Sequence, residues 1–185
     1  VGGELQGACV PFIDGSPLGR GCNRMAWGPD GSLFVGQTKH TWAGGQGIQQ
    51  VSWNGKTPFE IQIMELTKKG FKFTFTQPVD KKFALQKENW PFKRYFFEYR
   101  KDYGSPRSDE KSVAISKIET SGNGKIVELA LSELTPWHIH EVNIENIKAQ
   151  NGAPLTNGYI AYTLNRLLGE TPPEPLQIKV DRKKE

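Results

Sequence analysis

Apolar and polar residues alternate along most of this chain. Residues 71–76 place a phenylalanine at every second position with Lys or Thr between, which predicts a half-buried strand. Further strands are predicted, in chain order, at 61–66, 92–99, 113–118, 126–131, 139–147 and 159–164. Turns separate these segments and no long helical period is present, so residues 58–168 are predicted to form an antiparallel Ig-like β-sandwich of about seven strands.

The first 57 residues have a different character. They hold 13 of the 20 glycines, and the Gly-Pro-Asp-Gly-Ser turn at 28–32 separates two short apolar segments, which predicts a hairpin. Residues 48–53 are a third predicted strand, ended by Asn54-Gly55. Three or four short antiparallel strands in so few residues are typical of a propeller blade.

These patterns predict three segments. They are a propeller-blade-like segment over 1–57, the Ig-like β-sandwich over 58–168, and an extended tail over 169–185 that contains Pro172-Pro173 and Pro175. The fold class is therefore all-β: an antiparallel Ig-like β-sandwich preceded by a partial propeller-like strand segment. Since the first segment is too short for a complete domain, we expect the chain to be the C-terminal part of a larger protein.

Composition narrows the function classes. The net charge is +4 and the lysines cluster beside turns rather than on one face, so nucleic acid is not predicted as a partner. No apolar stretch is long enough to span a membrane as a helix. The spacing of Cys9 and Cys22 suits either a disulfide in an oxidising compartment or two small buried thiols, and both interpretations stay open.

Two stretches resemble known families. Residues 21–36 (GCNRMAWGPDGSLFVG) resemble a blade of the bacterial β-propellers of the soluble quinoprotein glucose/sorbosone dehydrogenase type. Residues 59–164 resemble the bacterial Ig-like modules that end many secreted multidomain proteins, through the phrases GFKFTFTQPVD (70–80), LTPWHIHEV (134–142) and NGAPL (151–155). The resemblance implies a secreted or periplasmic protein with further domains upstream of this chain.

His138 and His140 are the candidate metal ligands. Alternation along a strand puts both rings on one face, where they are placed to ligate copper or zinc. Val142 and Ile144 share that phase, so the face is predicted to point inward. We therefore expect hydrogen-bonded histidines near the sandwich rim, with no metal and no cofactor.

Arg24, His40 and Trp42 are the candidate ligand-contact residues of the first segment. His40 and Trp42 lie before the glycine-rich run at 44–47, and loops at one end of a propeller carry function. Arg24 is a candidate to face the central channel. The resemblance to dehydrogenase-like propellers implies basic side chains near that channel that hold an acidic cofactor, but no motif of this chain matches a particular cofactor residue, so none is assigned. For His40, a structural or solvent-exposed role is the favoured interpretation, and ligand contact is the alternative.

Aromatic residues suggest carbohydrate stacking as an alternative role. Trp42, Trp53, Trp90 and the run at 95–99 offer flat rings, and flat rings suit sugar faces. Within the run, Phe96 points to the opposite face from its two neighbours, so both faces are covered. Packing within the core and between domains is therefore the prediction for these rings.

The predicted function is that of a non-catalytic module. No serine stands in a glycine elbow and no pair of carboxylates suits glycoside hydrolysis, so no catalytic residue is predicted. We expect a structural or interaction module at the C-terminus of a secreted or periplasmic bacterial protein, with the upstream domains as partners. Two alternatives remain: part of a quinone- or haem-linked sugar dehydrogenase, and a carbohydrate-binding module of a glycosidase-type protein.

Overall fold

The described chain consists of strands and two short helical turns. The computed structural model describes residues 5–13, 18, 19, 21–40, 43–101 and 103–171, apart from the side chains of 39, 40 and 43–45. The elements are β1 (Gly7–Cys9), β2 (Cys22–Trp27), β3 (Leu33–His40), β4 (Ala43–Val51), β5 (Ile61–Leu66), β6 (Gly70–Phe75), α1 (Lys81–Ala84), a 3-10 turn (Lys87–Asn89), β7 (Phe92–Phe97), β8 (Arg107–Val113), β9 (Ile115–Thr120), β10 (Ile126–Leu131), β11 (His138–Asn143) and β12 (Tyr159–Leu164). All three sheets are antiparallel, so the predicted all-β class is confirmed.

The chain divides into two compact units. One contains residues 11–57, and the other contains the residues up to Val10 together with those from Pro58 onward. Most of the predicted tail, from residue 172, lies outside the described residues. Across the described ranges, no helix is long and apolar enough to cross a membrane.

The larger unit has one core between two sheets. The five-stranded sheet has the order β1-β12-β11-β7-β8, and the four-stranded sheet has the order β5-β6-β10-β9. Phe71 of β6 stacks on Phe92 of β7 with ring centroids 5.8 Å apart, and it also meets Tyr162 of β12 at 4.9 Å. The inward side chains of both sheets therefore bury one continuous apolar cluster.

Helix α1 and the 3-10 turn lie between β6 and β7. The Asp80 side chain accepts a hydrogen bond from the Lys82 amide at 2.9 Å and caps α1. After the 3-10 turn, the Trp90 ring enters the core, where it packs on Phe73 with centroids 5.1 Å apart. Its Nε1 donates to the Ala84 carbonyl at 3.0 Å, so the helical turn anchors this ring.

Most of β8 and the whole of β1 lie outside the predicted strands. β8 begins at Arg107, between the strands predicted at 92–99 and 113–118. It lies at the edge of its sheet, paired with β7, and edge strands commonly carry polar and charged side chains. The short β1 pairs with β12 and completes the same sheet at the other edge.

Gly70 is required by a close backbone approach between β6 and β10. A Cβ at this position would lie 2.1 Å from the Leu129 carbonyl oxygen, whereas a Cβ at Gly122 would meet nothing within 4 Å. We expect Gly70→Ala to lower the free energy of unfolding by about 1–3 kcal/mol, because the two strands must separate. Gly122→Ala is the matched control and should change it by less than about 0.5 kcal/mol in urea titrations. Equal effects of the two substitutions would contradict this prediction.

The smaller unit is a three-stranded sheet of order β2-β3-β4. The predicted hairpin between β2 and β3 is present: Gly31 has φ +78°, and the Asp30 carboxylate accepts from the Ser32 amide at 3.0 Å. Ser32 is buried, and its hydroxyl also lies 3.1 Å from that of Ser52 after β4. This polar cluster ties the turn to the third strand.

Candidate binding face

The outward face of the five-stranded sheet carries aromatic and charged side chains. Along β7, Phe92 and Arg94 point into the unit, while Lys93 and Tyr95 point outward and are followed by Phe97. The Tyr95 and Phe97 rings meet edge to face with centroids 5.3 Å apart. This agrees with the alternation that placed Tyr95 and Phe97 on one face in the sequence.

Glu141 of β11 lies at the centre of this face. Its Oε2 accepts hydrogen bonds from the Tyr95 hydroxyl at 2.9 Å, the Tyr159 hydroxyl at 2.8 Å and Arg107 Nη2 at 2.7 Å. Arg107 also donates through Nη1 to Oε1 at 3.1 Å, and its guanidinium lies 4.0 Å above the Tyr95 ring centre. We call these four residues the Glu141 network.

Electrostatics fix the ionisation of this network. Burial opposes the charge of Glu141, but the hydrogen bonds from Arg107, Tyr159 and Tyr95 outweigh it and lower the pKa of the carboxyl. Burial, together with the hydrogen bond to Glu141, raises the pKa of Tyr95. Near neutral pH the carboxylate is therefore charged and the phenol is protonated, an arrangement that accepts and donates hydrogen bonds without a proton ready for transfer.

The charges of the face balance. Arg107 pairs with Glu141 at 2.7 Å and with Glu110 at 3.3 Å, and Lys93 pairs with Glu110 at 3.4 Å. These are two cations and two anions, all on β7, β8 and β11. The face therefore presents fixed hydrogen-bonding groups with little net charge.

The two candidate metal-ligand histidines lie on the inward side of β11. Both are buried, as is Val142 two residues further on. His138 Nδ1 donates to the Pro136 carbonyl at 2.9 Å, and His140 Nε2 accepts from the Thr135 amide at 3.4 Å. Each ring therefore uses one nitrogen to hold the segment before β11. Among the described residues, no cluster of three His, Cys, Asp or Glu side chains is placed to hold a metal ion.

A charge cluster lies beside His138 and was not found from the sequence. The buried Arg94 pairs with Glu133 at 2.8 Å and with Asp109, and His138 Nε2 lies 3.4 Å from the same Asp109 carboxylate. Hydrogen bonds from Arg94 and then Lys111 hold the pKa of Asp109 well below its usual range. The signal that was available is the position of Arg94, since a charged residue in the inward phase of a strand needs buried partners.

The other candidates lie in the smaller unit. Arg24 is exposed on β2, and its guanidinium donates to the backbone and side chain of Asn23. The backbone of His40 ends β3, but its side chain and the whole of Trp42 lie outside the described residues. Of the three candidates, only the Arg24 side chain therefore lies within the described residues. Cys9 and Cys22 are both free and exposed.

Comparison with protein-family models, with curated proteins and with solved structures found no match for this chain. Its function must therefore be inferred from its own surfaces, of which the outward face of the five-stranded sheet and the β2–β4 sheet are the most distinctive.

Proposed function

We propose that this chain is a non-catalytic interaction module of a secreted or periplasmic multidomain bacterial protein. In this proposal the larger unit is an Ig-like β-sandwich, the smaller unit is a propeller-like sheet, and the partner is another β domain of the same protein. The observation that carries the proposal is the set of large apolar side chains exposed on both faces of the β2–β4 sheet.

One face of this sheet is apolar from its central strand to its edge. Met25 pairs with Val35 and Trp27 pairs with Leu33, and directly paired residues point to the same face. Val35 and Leu33 on the central strand are buried, whereas Met25 and Trp27 on the edge strand are 68% and 71% exposed. The apolar surface therefore continues into solvent at β2.

The opposite face also exposes large apolar side chains, beside the polar Arg24 and Gln50. Phe34 and Ile48 lie on this side, since Ile48 pairs with Gly36 in the same phase as Phe34, and Ile48 is 77% exposed. A sheet that is apolar on both faces needs a layer on each side. A propeller blade meets this condition because its neighbouring blades cover both of its faces.

The expected gain from covering this surface is large. Removing a side chain such as Met25, Trp27 or Ile48 from water contributes about 1.5–3 kcal/mol each. Exposed apolar patches of this kind mark interaction sites on soluble proteins. A partner that covers both faces therefore has a strong thermodynamic reason to stay bound.

We expect the chain on its own to self-associate through this sheet as its concentration rises. A variant that combines Met25→Lys and Trp27→Lys should remain monomeric in analytical ultracentrifugation, because charged edge residues oppose sheet-to-sheet contact. Leu85→Lys, at an exposed apolar residue of the larger unit, is the control and should associate like the original chain. A chain that stays monomeric throughout the concentration series and binds no hydrophobic dye would contradict the proposed function.

A further inference from the structure

We propose that the outward face of the five-stranded sheet binds a neutral carbohydrate, with the Glu141 network at the centre of the site. This site is separate from the β2–β4 sheet, so it does not depend on the proposed docking function. All residues of this proposed site belong to the larger unit.

Glu141 has unused hydrogen-bonding capacity at one of its two carboxylate oxygens. Among the described residues, Oε2 already accepts from three donors, whereas Oε1 accepts from Arg107 Nη1 at 3.1 Å. A carboxylate oxygen has two lone pairs, so Oε1 retains a place for a further donor. A sugar hydroxyl is such a donor, and the carboxylate that would receive it is held in place by four hydrogen bonds.

Two exposed rings lie on opposite sides of Glu141, Phe97 on β7 and Tyr159 on β12. The Phe97 side chain is 49% exposed and is held edge to face against Tyr95. Tyr159 is 38% exposed, and its hydroxyl is fixed by Glu141. A pyranose has apolar C–H faces and hydroxyl edges, so it matches exposed rings beside fixed polar groups. Because these rings are already ordered, binding costs little side-chain entropy.

The charged side chains of this face neutralise one another. Arg107 and Lys93 are balanced by Glu141 and Glu110 through the ion pairs of this face. A balanced face gives no electrostatic attraction to an anionic polymer such as nucleic acid, whose binding depends on unpaired Lys and Arg. The occupant that fits is therefore a neutral polyhydroxylated chain rather than an acidic or basic one.

The test uses the whole chain and soluble neutral polysaccharides. Native gels that contain arabinoxylan, galactomannan or mixed-linkage β-glucan should retard the chain in at least one case, and calorimetric titration should then give the affinity. Phe97→Ala and Tyr159→Ala should each weaken binding by about tenfold or more, which corresponds to roughly 1.4 kcal/mol. Tyr159→Phe keeps the ring and loses the hydroxyl, so its loss should be smaller than that of Tyr159→Ala.

The control variant is Tyr103→Ala, since Tyr103 is a fully exposed ring in the loop between β7 and β8 and should leave binding unchanged. Near-ultraviolet circular dichroism of each variant separates lost binding from lost folding. Absence of retardation by all three polysaccharides, or binding that survives Phe97→Ala, would overturn the site. Dimerisation abolished by Phe97→Ala without glycan binding would assign the face to a second copy of the chain instead. The Met25→Lys and Trp27→Lys variant should bind glycan normally, so failure of either proposal leaves the other intact.

Discussion

Replacing Trp90 by Ala should lower the free energy of unfolding of the larger unit by about 3–5 kcal/mol. The ring is only 1% exposed, packs on Phe73, and donates a hydrogen bond to the Ala84 carbonyl. Alanine would remove all of these contacts, leave a cavity and orphan a buried carbonyl. Since small domains are stable by only 5–15 kcal/mol, this one change is expected to bring the unit close to unfolding.

The control in the same unit is Tyr103→Ala. This ring is fully exposed in the loop between β7 and β8, so its truncation should change the unfolding free energy by less than about 0.5 kcal/mol. Urea unfolding followed by far-ultraviolet circular dichroism measures both variants against the original chain. Similar losses for the two aromatic residues would contradict the burial that distinguishes them.

The strand pattern was predictable wherever a strand has one buried face. Phe71, Phe73 and Phe75 alternate because every second side chain of β6 enters the core, and this period is visible in the sequence. β8 lacks the period because it is an edge strand with mostly exposed side chains. β1 has only three residues, and its partner β12 lies far along the chain, so no local signal marks it.

The burial of the aromatic residues was only partly predictable from the sequence. Packing was expected for Trp53 and Trp90 alike, but Trp90 is in the core while Trp53 is 74% exposed. Neither residue follows a continuous apolar stretch, since Lys87-Glu88-Asn89 precede Trp90 and Val51-Ser52 precede Trp53, and the difference between them arises from tertiary packing. Helix α1 and the 3-10 turn direct the Trp90 ring inward, whereas the Trp53 indole donates to the Lys56 carbonyl within its own turn.

The Glu141 network depends on contacts between strands, which the alternation along a single strand does not predict. Alternation placed Tyr95 and Phe97 on one face, but the partners that fix Tyr95 come from β8 and β11. Arg107 reaches Glu141 across the sheet because the pairing of β7 with β8 shifts between Arg94 and Phe96. Such register shifts depend on the assembled sheet, so the Glu141 network could not be predicted from spacing.

Acid should destabilise the larger unit through His140 before its carboxylates respond. Burial, followed by repulsion from His138, lowers the pKa of His140 from its ordinary 6.5 to about 4. Arg94 acts in the same direction and Glu133 opposes it, while Phe71 packs against the ring and Tyr162 pairs with His140 on β12. The ring already has one buried nitrogen, Nδ1, with no partner among the described residues, so a second proton would find no acceptor in the core.

Because the pKa of His140 is lower in the folded chain than in the unfolded chain, stability decreases as the pH falls. Above pH 6.5 the histidine is neutral in both the folded and the unfolded chain, so it adds no pH dependence. As the pH falls below 6.5, the unfolded chain takes up the proton first, and stability is lost until the folded ring also protonates near pH 4. The expected loss is about 3 kcal/mol, at roughly 1.4 kcal/mol per pKa unit. Glu141 and Asp109 have lowered pKa values, so their loss falls below about pH 4.5. Burial raises the pKa of Glu60, so this carboxyl acts in the opposite direction and adds stability as the pH falls.

Urea unfolding at pH 7, 6, 5 and 4.5 should therefore show stability falling by up to about 1.4 kcal/mol per pH unit below pH 6.5. His140→Gln keeps an acceptor for the Thr135 amide but cannot titrate, so its stability should be lower at pH 7 and nearly independent of pH down to 5. His138→Gln removes the repulsion that is the second cause of the lowered His140 pKa but leaves the burial of the ring, so it should keep most of the acid-dependent loss over a narrower pH range. An equal slope in the original chain and in His140→Gln would show that His140 is not the group that opposes protonation. The expected difference in slope arises because the His140 ring is buried and is held through Nε2 by the Thr135 amide. Its other nitrogen, Nδ1, has no hydrogen-bond partner among the described residues.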